Sequence, residues 1–227
     1  MSGQRRNKLE CIVFDFDGTL AELRLDFADM KSKIHLLGAT YLPPIAAHPS
    51  LRALELVALY AKELERINLA RAAEFSRRGH ALIRGIELSA ALNGRLFPFT
   101  RPLLEDLRRG GIKLCIITRN CEKAVRIVFP DILNLCHILL TRDHVLQVKP
   151  HPAHLLQAIR CVKVHPGSTL MVGDHPLDIE TGRRAGTLTA GVSSGNSSAE
   201  DLSLSGAEWV ADNCQELIHQ LKEQGRI

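Results

Sequence analysis

Short, almost continuously apolar segments alternate with longer amphipathic segments along most of the chain. The apolar segments occupy residues 9–14, 113–118, 137–140, 169–173, 187–192 and 209–211. Runs of this length are typical of parallel strands that are covered on both faces. The segments between them are long enough for helices. The alternation therefore predicts an α/β fold with a Rossmann-like, doubly wound parallel sheet.

Several helix boundaries can be predicted from local signals. A helix over residues 102–109 should end at Gly110 and Gly111, because glycine favours the end of a helix. Asn120 is a candidate N-cap for the next helix, which Pro130 should end.

One long stretch, residues 21–97, interrupts the alternation because it contains no convincing strand pattern. Instead, a helical stripe of apolar side chains follows Ser50, a candidate N-cap. The stripe consists of Leu54, Val57, Ala61, Leu64 and Ile67. Gly79 and Gly85 are expected to interrupt the helical pattern further along. The sequence thus predicts two domains, an α/β core of residues 1–20 and 98–227 and a helical insertion of residues 21–97.

Composition narrows the class of protein. With 45% hydrophobic and 24% charged residues, the chain has the composition of a soluble globular protein, and no apolar run is long enough for a membrane helix. A net charge of +4 and only 4% aromatic residues argue against a nucleic-acid-binding protein. Residues 1–7 lack the apolar core of a secretory signal.

The cysteines indicate the compartment. None of the six forms a C-x-x-C pair, and the apolar surroundings of Cys11 and Cys115 are typical of buried thiols rather than of a disulfide framework or a zinc site. We therefore expect six buried thiols and a cytoplasmic location.

Polar residues that could take part in catalysis or ligand binding follow the predicted strands, at the edge of an open α/β sheet where ligands bind. Asp15, Asp17 and Gly18 come directly after the first strand. Carboxylates at positions i and i+2 of an extended chain point the same way, so they repel one another unless a cation is present. Mg²⁺ suits such a site because it takes a few carboxylates and keeps its other positions for water and substrate oxygens. Gly18 allows the backbone to approach a bound anion closely.

The later strand ends supply groups suited to a phosphate. Thr118, Arg119 and Asn120 offer a hydroxyl and the free amides of a helix start, which together form a natural phosphate seat. Lys149 is an isolated point charge suited to a phosphoryl oxygen. Asp174 and Asp178, four residues apart across a helix start, can meet on one face beside a cation.

The order D-x-D-G-T, T, K-P and G-D-x-x-x-D resembles the four signature motifs of the haloacid dehalogenase superfamily, and it spans the chain from Asp15 to Asp178. The resemblance implies that Asp15 is a nucleophile that forms an aspartyl-phosphate and that Asp17 is the general acid and base. It also implies that Thr118 and Lys149 hold the phosphoryl oxygens. Asp174, Asp15 and the Asp17 carbonyl would bind Mg²⁺, with Asp178 supporting that site. A sheet with its first strand at the centre is expected, as is a helical cap domain formed by the insertion.

Each residue also has a purely structural interpretation. A D-G-T triplet is usually a turn, Thr118 could cap a helix, and Lys149 could be a surface charge. Asp174 and Asp178 could only stabilise a helix N-terminus. His175 could be a surface residue or a contact of the leaving group. The joint occurrence of all four motifs in order favours catalysis over these separate coincidences.

Asp17 also distinguishes members of the superfamily, because dehalogenases, whose leaving halide needs no proton, lack an acid at this position. The sequence therefore predicts a magnesium-dependent phosphatase that hydrolyses a small phosphomonoester, an organic-acid or sugar phosphate. The nearest general resemblance is to phosphoglycolate phosphatase-like enzymes, from which Ala21-Glu22 and Pro98-Phe99 depart. A hexose phosphomutase and a non-catalytic regulator that binds a phosphorylated ligand remain as alternatives. The expected partner is a small phosphorylated metabolite, without nucleic acid or membrane, and the expected assembly is a monomer or homodimer.

Overall fold

The structure is a computed structural model that describes residues 8–43, 45 and 51–227. The candidate N-cap Ser50 and the N-terminal segment 1–7 lie outside these described residues. The chain divides into two compact units. One comprises the chain up to Leu23 together with Gly94–Ile227, and the other comprises Arg24–Asn93.

The strands are β1 (Cys11–Phe14), β2 (Ala21–Glu22), β3 (Arg95–Leu96), β4 (Lys113–Ile117), β5 (Ile138–Leu140), β6 (Thr169–Gly173), β7 (Leu188–Val192) and β8 (Trp209–Ala211). The helices are α1 (Phe27–Ala39), α2 (Ala53–Glu65), α3 (Leu69–Leu92), α4 (Thr100–Arg109), α5 (Glu122–Val128), α6 (Ile132–Leu135), α7 (Pro152–Cys161), α8 (Pro176–Ala185), α9 (Ala199–Leu204) and α10 (Cys214–Glu223). Single turns of 3-10 helix occur at Arg142–His144 and Pro166–Ser168.

Within the described residues, six strands form one parallel sheet in the order β5-β4-β1-β6-β7-β8. The doubly wound fold with an internal first strand is thereby confirmed. In the register, Cys11 of β1 lies opposite Lys113 of β4 and Thr169 of β6. Every residue of β1 is buried, because β1 is paired on both edges and covered on both faces.

One face of the sheet packs against α7. Cys11 and Val13 of β1 share a core cluster with Leu155 and Ile159 of α7. The alternate residues Ile12 and Phe14 point to the opposite face and are equally buried. An apolar run without polar alternation is therefore what this central strand requires.

A second, two-stranded sheet corrects the prediction that residues 21–97 contain no strand. β2 and β3 are antiparallel, with Ala21 opposite Leu96 and Glu22 opposite Arg95. The side chains of Glu22 and Arg95 also form an exposed ion pair with an N–O distance of 2.8 Å. Strands of two residues are too short for any hydrophobic period to reveal them.

The unit Arg24–Asn93 has its own apolar core, supplied by α1, α2 and α3. Tyr60 and Phe75 are fully buried there, with ring centroids 5.4 Å apart. The prediction that Gly79 and Gly85 interrupt the helical pattern is wrong, because both lie inside α3. A Cβ on Gly79 would lie 2.8 Å from Val57 Cγ2, so this glycine permits the close approach of α2 and α3.

The predicted N-cap role of Asn120 is also wrong. α5 begins at Glu122, and its N-cap Cys121 makes no side-chain capping bond. Instead, the Glu122 N–H donates to Asp143 Oδ2 at 2.9 Å, so a residue from a distant loop caps this helix.

All six cysteines are free thiols, and five of them are buried. Cys161, at the end of α7, is exposed, which corrects the expectation that all six are buried. Within the described residues, no helix has the length and apolarity that crossing a membrane requires.

Candidate active site

The residues singled out from the sequence follow neighbouring strands of the large sheet. Asp15 follows β1, Thr118 follows β4 and Asp174 follows β6, and β1 lies between the other two strands. Because the strands are parallel, their carboxyl ends meet at the same edge. The topology therefore places these three residues on one edge of the sheet.

Lys149 is the most deeply buried cation of this edge, with a residue exposure of 1%. Its Nζ lies 2.7 Å from Asp15 Oδ1 and 2.6 Å from Asp178 Oδ1. Burial opposes the charge of Lys149, but the two carboxylates outweigh burial and hold the pKa of the lysine above its ordinary value. Lys149 is thus not a surface charge but a cation fixed between the first and fourth motifs.

Three carboxylates gather around this lysine. Oxygen atoms of Asp15, Asp174 and Asp178 lie within 4.8 Å of one another. Burial is the main cause that raises the pKa of Asp15 to about 6, with Lys149 opposing the shift and Asp178 adding to it. Burial, together with the neighbouring Asp15 and Asp178, raises the pKa of Asp174 to about 8. A cluster of this kind holds protons at neutral pH unless a cation replaces them.

Asp178 has a protein donor at each of its oxygens. Oδ1 receives Lys149 Nζ, and Oδ2 accepts the His175 N–H at 3.2 Å. His175 in turn accepts the Leu177 N–H through Nδ1 at 3.0 Å, so it caps α8. The pair forms a capping box in which the imidazole takes the place of the usual hydroxyl.

The carboxyl group of Asp17 is placed differently. Its Oδ1 accepts the Leu23 N–H at 2.8 Å, and among the described residues it does not belong to the cluster of Asp15, Asp174 and Asp178. Burial raises the pKa of Asp17 to about 7, although the Leu23 N–H opposes this shift. Near neutral pH this carboxyl group can therefore either give or accept a proton.

A loop after β7 approaches Asp174 so closely that only glycine fits. The Asn196 N–H donates to Asp174 Oδ2 at 3.1 Å, and Ser194 Oγ donates to the Gly18 carbonyl at 2.7 Å. A Cβ on Gly195 would lie 1.9 Å from Asp174 Oδ2, and one on Gly18 would lie 2.4 Å from the same atom. The sequence reasoning missed this loop, although its position after a strand of the sheet was a usable signal.

Two residues of the predicted phosphate seat, Thr118 and Asn120, are buried after β4. Thr118 is 2% exposed and accepts the Asn120 N–H at 3.2 Å. Asn120 is also buried, and its Nδ2 has no hydrogen-bond partner within the part of the chain that the structure describes. A buried donor without a partner is costly, which is consistent with an anion as its ligand. The Arg119 guanidinium instead donates to the Lys149 carbonyl at 2.6 Å.

Comparison with known proteins agrees with this geometry. A family model described as a haloacid dehalogenase-like hydrolase matches residues 9–186. The chain belongs to this family. The superfamily resemblance inferred from the four motifs is confirmed, and so is the prediction that the protein is an enzyme, a hydrolase of the phosphatase type.

Two curated relatives cover almost the whole chain. An N-acetylmuramic acid 6-phosphate phosphatase from Pseudomonas putida is 31% identical over 92% of this chain and 95% of its own length. A protein of the same name from Pseudomonas aeruginosa is 30% identical over 96% of both chains. Among solved structures, a phosphonoacetaldehyde hydrolase-like protein from Oleispira antarctica matches with a TM-score of 0.70. It covers 100% of this chain and 97% of its own at 18% identity, so it supports the fold alone.

Proposed function

We propose that the protein is a magnesium-dependent phosphatase that hydrolyses a small phosphomonoester through an aspartyl-phosphate on Asp15. The observation that carries the proposal is the contact of 2.7 Å between Lys149 Nζ and Asp15 Oδ1, in a cluster of three carboxylates. A buried lysine beside a partly buried carboxylate favours the ionised form of that carboxylate and also attracts the oxygens of a phosphoryl group.

The hydrogen bonds of Asp15 favour one oxygen as the nucleophile. Oδ1 receives both Lys149 Nζ and the Phe16 N–H, the latter at 2.7 Å. Two donors on Oδ1 fix the rotation of the carboxylate, so Oδ2 is assigned the attack on phosphorus. As the new bond from Oδ2 to phosphorus forms, the bond from phosphorus to the substrate oxygen breaks, and that oxygen leaves with a proton from Asp17.

The second half of the reaction releases phosphate. Asp17, now ionised, accepts a proton from a water molecule whose oxygen attacks the phosphorus. The bond between phosphorus and Asp15 then breaks, and the free carboxylate is regenerated together with inorganic phosphate. The pKa of about 7 for Asp17 suits both proton transfers at neutral pH. Lys149, Thr118 and Asn120 are assigned to the phosphoryl oxygens.

The donor set fits Mg²⁺. Asp15, Asp174 and the Asp17 backbone carbonyl are hard oxygen ligands of the kind this cation prefers, and Asp178 would support them from behind. When bound, the cation would neutralise the clustered carboxylates and the negative charge of the phosphoryl group. The close approach of Gly18 and Gly195 to Asp174 would keep that carboxylate in place.

The relatives suggest a substrate class. Both are named as phosphatases of N-acetylmuramic acid 6-phosphate, so we infer that a sugar phosphate is the substrate. The helical unit Arg24–Asn93 enters the chain soon after Asp17, and we assign to it the selection of substrate as a cap domain. The free thiols support a reducing compartment, the cytoplasm.

A panel of phosphomonoesters assayed with Mg²⁺ tests the proposal. It should contain N-acetylmuramic acid 6-phosphate, hexose 6-phosphates, phosphoglycolate and a phosphopeptide. We expect phosphate release from at least one sugar phosphate with a higher kcat/KM than from the phosphopeptide. Isomerisation of a hexose phosphate that needs a bisphosphate primer would instead indicate a mutase. Absence of phosphate release from every ester would indicate a regulator.

A further inference from the structure

His154 in α7 is fully buried, and both of its ring nitrogens have partners. Nδ1 lies 3.3 Å from the Lys149 backbone nitrogen, and Nε2 lies 3.0 Å from the Leu140 carbonyl oxygen. A backbone N–H can only donate and a carbonyl can only accept. The partners therefore define one tautomer, with Nδ1 free of a proton and the proton on Nε2.

The Leu140 carbonyl connects this imidazole to a second motif. The Thr118 N–H donates to the same oxygen at 3.0 Å, so the oxygen accepts from both Thr118 and His154. A carbonyl oxygen has two lone pairs, and both are then used. His154 thus links the backbone of Lys149 to the backbone of Thr118 through a single intervening carbonyl.

The backbone N–H, the backbone carbonyl and Nζ of Lys149 each have a hydrogen-bond or ion-pair partner from another part of the chain. Its N–H is held by His154, its carbonyl by Arg119 at 2.6 Å, and its Nζ by Asp15 and Asp178. Through the Leu140 carbonyl, the contact from His154 also reaches β5, which pairs with β4, the strand that Thr118 follows. Arg119, the residue after Thr118, supplies a second link to Lys149. We propose that His154 is a positioning residue that sets Lys149 and Thr118 at the spacing a phosphoryl group requires.

The chemistry of the position supports a role beyond filling the core. An apolar residue such as the neighbouring Leu155 would pack in this helix without the cost of burying an imidazole. It would, however, leave the buried Lys149 N–H without its acceptor. Burial and the charge of Lys149 lower the pKa of His154 to about 4, so the ring is neutral at neutral pH and keeps Nδ1 as an acceptor. This inference rests on the proposed roles of Lys149 and Thr118.

Two amide variants, each reproducing one ring nitrogen, separate the contact with Lys149 from the contact with Leu140. In His154→Asn the side-chain oxygen lies near the position of Nδ1 and can keep the bond to Lys149. In His154→Gln the amide nitrogen lies near the position of Nε2 and can keep only the bond to Leu140. The binding of inorganic phosphate in the presence of Mg²⁺ is measured by isothermal titration calorimetry. We expect the Kd of His154→Asn to lie within about threefold of the wild-type value and the Kd of His154→Gln to be about tenfold higher than wild type. His154→Leu should bind phosphate at least as weakly as His154→Gln.

Ile159→Val provides the structural control, because Ile159 is buried in the same helix and packs in the core cluster that contains Leu155. It should lower stability slightly and leave phosphate binding unchanged. Two-bond proton–nitrogen NMR spectra of the wild type should place the imidazole proton on Nε2.

Equal phosphate affinity of the Asn and Gln variants, failure of both to fold, or a proton on Nδ1 would overturn the proposal. Phosphate release from an aryl phosphate by the wild-type protein tests the enzymatic function separately. The order of the three variants in phosphate binding tests the positioning role alone.

Discussion

Lys149 and Asp178 form an ion pair that is almost completely shielded from solvent, with Nζ 2.6 Å from Oδ1 and side-chain exposures of 2% and 1%. Charges so deeply buried are tolerated only when their remaining hydrogen-bonding positions are also filled. Asp15 fills one such position on the lysine, and the His175 N–H fills one on the aspartate. The pair therefore belongs to a connected network that spans three of the four motifs.

Asp178→Asn tests this network. The amide removes the negative charge beside Lys149. Its NH₂ group also faces a donor, either Lys149 Nζ or the His175 N–H, so we expect the free energy of unfolding to fall by about 3 kcal/mol. Asp131→Asn is the matched control. Its partner Arg101 lies at 2.6 Å, but both side chains are more than 40% exposed, so the loss should be much smaller than that of Asp178→Asn. Urea unfolding measures both values, and equal losses would contradict the importance of burial.

Removal of metal should abolish turnover. Because burial and the neighbouring carboxylates raise the pKa of Asp174 to about 8, the cluster needs a cation besides Lys149 to be fully ionised at neutral pH. Excess chelator should therefore stop phosphate release, and Mg²⁺ should restore it. Ca²⁺ should substitute poorly, since it prefers more ligands and a looser geometry. The measurement is phosphate release across a chelator titration. Full activity in excess chelator would exclude the proposed metal site.

Asp17→Asn should separate the two halves of the reaction. An activated aryl phosphate hardly needs a proton on its leaving group, so Asp15 should still be phosphorylated. Hydrolysis of the aspartyl-phosphate should slow by roughly a hundredfold or more, because it lacks its general base. Rapid-mixing kinetics should show a burst of aryl alcohol near one equivalent per enzyme. Asp15→Asn is the control and should give neither burst nor turnover. Steady turnover of the Asp17 variant at the wild-type rate would contradict the assignment.

Gly195→Ala should weaken metal binding. The new Cβ would lie 1.9 Å from Asp174 Oδ2, so the carboxylate or the loop must move. Losing the support of a metal-binding carboxylate typically lowers affinity by about 10- to 100-fold, and the Mg²⁺ concentration for half-maximal activity should rise accordingly. Gly85→Ala is the control because its Cβ meets nothing within 4 Å and lies in α3. It should stabilise the protein by about 0.5–1 kcal/mol without changing the Mg²⁺ requirement.

The stability of the protein should depend on pH through His154. The pKa of His154 falls from 6.5 to about 4 on folding. Between these two pH values His154 is protonated in the unfolded chain but neutral in the folded protein. The folded state should therefore lose up to about 3 kcal/mol as the pH decreases from about 6.5 to about 4. Urea midpoints of wild type and His154→Asn measured between pH 7.5 and 4.5 check this. The variant should lose less stability over that interval, and parallel curves would contradict the pKa shift.

The alternation of elements and the order of the motifs could be predicted because both depend on local sequence. β1 is apolar throughout because it lies inside the sheet, and Asp15 and Asp174 were recognisable because they directly follow strands. Local signals were misleading where a distant residue supplied the contact. Asn120 resembled an N-cap, yet Asp143 caps α5, and Gly79 resembled a break, yet it permits the approach of α2.

The sequence by itself determined the parallel α/β core, the helical insertion and four motifs that imply phosphoryl chemistry. Hydrophobic periodicity and the residues at strand ends can be recognised from neighbouring positions in the chain. Only the tertiary structure decided which groups hold those motifs in place. His154 on Lys149, Asn196 on Asp174 and Ser194 on Gly18 are examples. The last two of these pairs are separated by 22 and 176 residues in sequence. Hydrogen bonds over such distances depend on how the strands are ordered in the sheet, and no local pattern of residue types encodes that order.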